Sequence, residues 1–256
     1  TSDFFNRLGR IFEYLRKERL PAKDTEIIDI FRNNKRLLLL LFEHKVIIPD
    51  ESILQYIIEK SYLKGQLIYL YFFSEIKNFL DKEKVERIKK EISQEFKESV
   101  ETFEAKIKKG ENDSVICKLI RQDSIKEFIS YVNQTNLPLT FNIKPDFYES
   151  NYLLKSPQTL IEYAFFYGSI QIIKYLLNNH VKLSQFIQQC SAHSDNLEVV
   201  KFAEERLEID INIVLESIKC HHINITNYLI DKLIDKFGSD YVYSYINQEA
   251  IIRCNY

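Results

Sequence analysis

Thr159-Leu-Ile-Glu-Tyr-Ala-Phe-Phe-Tyr-Gly-Ser-Ile-Gln-Ile-Ile-Lys-Tyr-Leu-Leu-Asn-Asn-His-Val-Lys-Leu183 is the stretch on which the reading of the fold turns. Ala164 is small, so a neighbouring helix can approach closely at that level. Gly168, four residues on, supplies the permissive backbone that ends one helix and reverses the chain. Ile172, Ile173, Leu176 and Leu177 form the apolar stripe of the returning helix. One such pair cannot cover its own stripe, whereas stacked copies can. The pattern returns about 27 residues later as Cys190-Ser191, Asp195 and Val199-Val200, and about 26 after that as Ser217, His221, Ile225, Tyr228 and Leu229. Small residues hold the place of Ala164 (Ser191, Ser217), and polar ones replace Gly168 (Asp195, His221). A fourth copy starts at Ala250–Cys254 and runs off the end, which leads one to expect that the natural chain continues.

Composition agrees with a helical, folded protein. The chain has 256 residues, of which 45% are hydrophobic and 28% charged, with only five Gly and five Pro. An all-β protein would need more of both for its turns. Lys plus Arg number 35 against 37 Asp plus Glu, a formal charge of −2. That balance lacks the cationic excess with which a nucleic-acid binder neutralises phosphates. The most apolar run, Leu37–Phe42, is six residues, against roughly 20 needed to span a bilayer. The N-terminus lacks the layout of a secretory signal. Four cysteines (Cys117, Cys190, Cys220, Cys254) show no Cys-x-x-Cys pairing. They read as reduced, buried thiols of an intracellular, cytoplasmic protein. Methionine is absent altogether, so the sequence is either an internal fragment or one from which modified methionines are missing.

Outward from the deciding stretch, helical periodicity dominates. Phe4–Leu20 predicts a helix that Pro21 breaks. Thr25–Val46 predicts two helices that turn near Asn33-Asn34, and Ser52–Ser61 and Leu67–Leu80 a further pair turning at Gly65. The string at 40–46 aligns with that at 175–181. From 75 to 109, Val85, Ile88, Ile92, Phe96, Val100, Phe103 and Ile107 recur at steps of three or four among ten basic and nine acidic residues. This predicts one long charged amphipathic helix whose seam docks along its own chain. Gly110 ends it, Ser114 caps a new pair turned at Gln122-Asp123, and Thr135–Lys155 is the longest loop. Ser156-Pro157 predicts the start of the following helix. Three regions result: an N-terminal helical repeat region at 1–74, the long helix at 75–109, and helical repeats over 110–256.

The pattern Ala164-x-x-x-Gly168-x-x-x-Ile172-Ile173-x-x-Leu176-Leu177 resembles the ankyrin repeat. Gly110–Ser114, Leu160–Ala164 with Gly168–Ile172, and Glu216–His222 resemble more closely the ankyrin-associated domain of unknown function in the large repeat-protein families of parasitic protists. The likeness covers most of the chain and is strongest from about 110 onward. Thr159-Leu160-Ile161-Glu162 stands in place of Thr-Pro-Leu-His, and the units are shorter than the roughly 33 residues of an ankyrin repeat. The resemblance implies an all-α solenoid of stacked antiparallel helix pairs and a non-catalytic scaffold or adaptor for a protein partner. It places Tyr163, Phe166, Tyr167, His193, Ser194, Glu216 and Lys219 on the concave register of the first helices, as a binding groove. Packing of Phe166 or Tyr167 on the preceding pair is the plain alternative.

No catalytic group and no cofactor is expected. The sharpest competing site is a Zn²⁺ held by Cys190, His193 and Cys220, with His221 and His222 beside them. Its spacings match no established finger, and packing thiols account for the same residues. A Cys–His nucleophile from this cluster has no Asn or Asp orienter. Pairing between chains through 75–109 is a further alternative.

Overall fold

The computed structural model describes residues 24–31, 34–50, 52–53, 55–56 and 68–253. The helix expected over Phe4–Leu20, most of Ser52–Ser61, the Gly65 turn and Cys254 lie outside the described residues. The protein is mostly helical: fifteen α-helices, two 3-10 turns and one two-stranded sheet occur among the described residues. None of those helices is long and apolar enough to cross a membrane. The described residues fall into two compact units, one up to Glu111 with Tyr148–Tyr152, the other of Asn112–Phe147 and the residues from Leu153 on.

In the first unit, α1 (Asp24–Phe31) packs on α2 (Lys35–Glu43), whose Leu38–Phe42 are all buried. Asn34 turns the chain as an N-cap: its side chain accepts from the Leu37 amide at 3.1 Å, with φ of −123°. At the other end of α2, Lys45 is left-handed (φ 54°), after which the Val46 amide closes back on the Leu41 carbonyl at 2.9 Å. His180 (φ 58°) and the Val181–Leu176 bond at 3.1 Å repeat this geometry at the aligned positions. Both are Schellman closures, which satisfy orphan carbonyls at a helix end. Short helices α3 (Ile68–Tyr71) and α4 (Phe73–Ile76) follow, then a 3-10 turn at Lys77–Phe79.

The single helix expected over 75–109 is not formed. Leu80 is extended, Asp81 caps α5 (Lys82–Phe96), Lys97 turns left-handed at φ 54°, and Ser99 caps α6 (Val100–Lys109). Asp81 and Ser99 each accept an amide that a helix start leaves unpaired. The break turns Phe96 onto Phe103, centroids 4.7 Å apart, with the Tyr148 ring against both. Intervals of three and four were compatible with a straight helix, but the aromatic cluster outweighs continuity. The apolar seam is buried within this unit through Ile88, Ile92, Phe103 and Ile107. Glu104 pairs with Lys77 at 2.8 Å. Gly110 (φ 67°) ends α6, and a Cβ there would sit 2.7 Å from the Ser150 hydroxyl, which donates to the Gly110 carbonyl.

The second unit is built of helix pairs: α7 (Val115–Arg121) with α8 (Ile125–Thr135), α9 (Leu160–Tyr167) with α10 (Ile170–Asn178), α11 (Phe186–His193) with α12 (Leu197–Glu204), and α13 (Asn212–Lys219) with α14 (Ile223–Phe237). First helices touch in succession, α7 on α9, α9 on α11, α11 on α13, and α15 (Ser239–Arg253) on α13. Second helices form the adjoining layer, with α8 against α10 and α12 against α14. A left-handed residue turns the chain after each of these first helices: Gly168 (φ 72°) directly after α9, and Asp123 (48°), Asp195 (51°) and His221 (57°) as the second residue after α7, α11 and α13. Asp and His therefore do at three turns what Gly does at Gly168. The Ser124, Ser169 and His222 amides close back on the Leu119, Ala164 and Ser217 carbonyls. The core runs through Ile120, Phe128, Phe165, Ile172, Leu176 and Val199.

The loop expected between 135 and 155 carries a short clip. β1 (Asn142–Ile143) pairs antiparallel with β2 (Gln158–Thr159), Asn142 opposite Thr159 and Ile143 opposite Gln158. This displaces the helix start from Ser156-Pro157 to Thr159. The Thr159 hydroxyl accepts the Glu162 amide at 3.3 Å, and Glu162 Oε2 accepts the Thr159 amide at 2.8 Å. That reciprocal capping box satisfies two donors and outcompetes a proline start.

Candidate functional site

The seven residues expected to line a groove do share a register, and most touch one another, but along the seams between helices. Tyr163 on α9 is only 1% exposed. Its hydroxyl accepts from Arg121 Nη1 at 2.8 Å, and the same guanidinium nitrogen donates to the Asn112 carbonyl at 2.8 Å. Burial pushes the Tyr163 hydroxyl far above the ordinary tyrosine range. Tyr167 leans on Tyr163 and meets Phe166 edge-on, with centroids 4.8 and 4.9 Å apart. Phe166 stacks on the His193 ring of the next pair, 4.7 Å away at 20°. His193 Nε2 lies 2.5 Å from Glu216 Oε1, and Lys219 Nζ lies 3.2 Å from Glu216 Oε2. Ser194 serves the turn: its hydroxyl donates to the Ser191 carbonyl at 2.7 Å and accepts the Asn196 amide at 3.3 Å.

The groove itself is not open. Leu160–Phe166 are buried without exception on α9, and so are Ile213–Ser217 on α13. Tyr163, Phe166 and Glu216 are thus corrected from contact residues to packing residues. The cause is size: Tyr and Phe fill the width that smaller side chains would leave as a concavity. Tyr167, His193 and Ser194 are half-buried, and Lys219 is the exposed member of the set.

Two features of this row were not anticipated. Glu162 Oε1 accepts from Ser184 Oγ at 2.5 Å, and Gln188 Oε1 accepts from the Asp210 amide at 2.8 Å while its amide nitrogen donates to the Glu208 carbonyl. Both pairs are offset by 26 residues, so a buried polar side chain on one first helix holds the loop that leads into the next. Likewise Ser169 Oγ donates to the Ile120 carbonyl at 2.5 Å, and His222 Nδ1 lies 2.9 Å from the Ala192 carbonyl. A polar residue recurring at the repeat spacing inside an apolar helix was the available signal.

The competing grouping of Cys190, His193 and Cys220 is not brought together as a set. Ligand atoms of His193, Glu216 and Cys220 lie within 4.8 Å of one another, and Cys190 is not among them. Cys190 is wholly buried, where burial holds its thiol well above the usual range. Cys220 is half-buried, and burial followed by the Glu216 charge raises its thiol likewise. Its position in the α13 C-cap, four residues after Glu216, puts both side chains on one face.

Aromatic side chains do reach the surface at the end of α14 and the start of α15. Phe237 is 44% exposed, Tyr241 55% and Tyr243 51%. Phe237 and Tyr241 border an open cleft of about 360 Å³ that Glu208, Ile209, Ile211 and Lys236 also line. Lys236 Nζ lies 2.6 Å from Glu208 Oε1 across it. No protein-family model, curated protein or solved structure matches this chain.

Proposed function

We propose that the chain is a non-catalytic scaffold: a divergent ankyrin-like solenoid that binds a protein partner. The stacked pairs with recurring left-handed turns support the architecture, since such units expose one extended surface. Contact by the first-helix face gives way to contact at its edge, because that face is filled. The observation that carries the reading is the exposure of Phe237 and Tyr241 beside a cleft with acidic and basic rims, with Tyr243 exposed on the same helix as Tyr241. Aromatic anchors bordered by charge are the chemistry of protein interfaces, where a few such residues dominate affinity.

The test is capture of partners by the full chain in extract of its native cell, followed by quantitative comparison with the triple variant Phe237→Ala, Tyr241→Ala, Tyr243→Ala. The proposal expects the specific partners to drop from the variant's recovered set, with helical circular dichroism unchanged. Equal recovery by both proteins rejects it.

A further inference from the structure

We propose that His193, Glu216 and Cys220 form a binding site for one divalent transition-metal ion of zinc type, which joins two successive helix pairs. Their nitrogen, oxygen and sulfur atoms converge within 4.8 Å. Zinc takes this mixed donor set, with bonds of about 2.0–2.3 Å. Tetrahedral ligand atoms at such bonds stand roughly 3.3–3.8 Å apart, so small side-chain rotations close the cluster. His193 Nε2 and Glu216 Oε1 already stand 2.5 Å apart and would separate to admit the ion.

The chemistry favours a cation here. Glu216 is 4% exposed, and a buried carboxylate needs positive compensation. Lys219 Nζ supplies it at 3.2 Å from Oε2, and the His193 ring stands beside Oε1. Cys220 Sγ stands within 4.8 Å of that carboxylate and of the His193 ring nitrogen. A dication neutralises the carboxylate and binds the sulfur as thiolate, releasing the thiol proton to solvent. Lys219, on an exposed stem, can swing into water when the metal takes its place. His193 and Cys220 are half-buried, which leaves one side accessible to water as the fourth ligand. Because Glu216 and Cys220 belong to α13 and its C-cap while His193 ends α11, the ion would act as a staple across the row. The site stands apart from the partner-binding proposal, which involves none of these residues.

Cobalt(II) titration of the reduced full chain is the direct test, with zinc as competitor. The expected result is one cobalt per chain, a thiolate-to-cobalt charge-transfer band and tetrahedral d–d absorption, all displaced by zinc. Cys220→Ser should abolish the charge-transfer band, and His193→Gln should weaken binding by more than about tenfold, as loss of even a supporting group does. Cys190→Ser should leave the band intact. Zinc should raise the melting temperature of the parent chain and not that of Cys220→Ser. Absence of a charge-transfer band in the parent chain, or its persistence in a folded Cys220→Ser variant, overturns the assignment.

Discussion

The buried row α9, α11, α13 and the closing helices α14 and α15 use aromatic side chains in opposite ways. In the row, Tyr163, Phe165 and Phe166 are 1%, 0% and 8% exposed, and each is enclosed by neighbouring helices. At the α14–α15 junction, Phe237, Tyr241 and Tyr243 stand out in water. Aromatic content therefore does not mark a binding face in this protein. Enclosure does the sorting: a first helix flanked on both sides turns its rings into mortar, and rings beyond that enclosure remain available.

This contrast can be broken by mutation. Tyr163→Ala removes a buried ring and the acceptor of Arg121, and should cost about 3–5 kcal/mol in urea unfolding at unchanged m-value. A cost under about 1 kcal/mol would mean that the row is not packed as described. Gln188→Leu leaves the Asp210 amide and the Glu208 carbonyl without their partner, and should cost about 1–3 kcal/mol by the same measurement. Gly168→Ala places a side chain in left-handed backbone, 3.3 Å from Ser194 Cβ, and should cost about 1–2 kcal/mol. The complementary change His221→Gly relieves the same strain and should stabilise slightly in thermal unfolding, because lost glycine entropy offsets part of the gain. Tyr241→Ala, at the exposed end of the comparison, should shift stability by no more than about 0.5 kcal/mol.

Much of the second unit was legible because its turns depend on local backbone rules. Ala164 and Gly168 announced a pair, and the alignment placed Asp195 and His221 at turns although neither is glycine. Their left-handed conformations show that the register was read correctly there. The strings at 40–46 and 175–181 align, and the structure gives both the same helix end at Lys45 and His180. What was missed depends on tertiary contacts. Nothing in the spacing of Val85, Phe96 and Ile107 reveals that Phe96 prefers Phe103 and Tyr148 to a continuous helix. The start at Thr159 over Ser156-Pro157 was decided by Glu162, three residues on. The candidate site was half legible: spacing put seven residues on one register, but only the widths of Tyr163 and Phe166 in three dimensions show that the groove is closed. That Glu216 rather than Cys190 stands with His193 and Cys220 depended on which side chains face across a seam.

The claim beneath all of this is that consecutive first helices lie against each other at the repeat spacing. Gly168 and Ser194 occupy facing turns, and a Cβ built on Gly168 is 3.3 Å from Ser194 Cβ, close to the roughly 3.5–4.5 Å of a disulfide. Mild oxidation of the Gly168→Cys, Ser194→Cys double variant should link these two positions within one chain, seen by mass spectrometry as a cross-linked peptide pair absent from the parent protein. A folded variant whose two new thiols remain separately alkylated after oxidation would contradict the stacked arrangement.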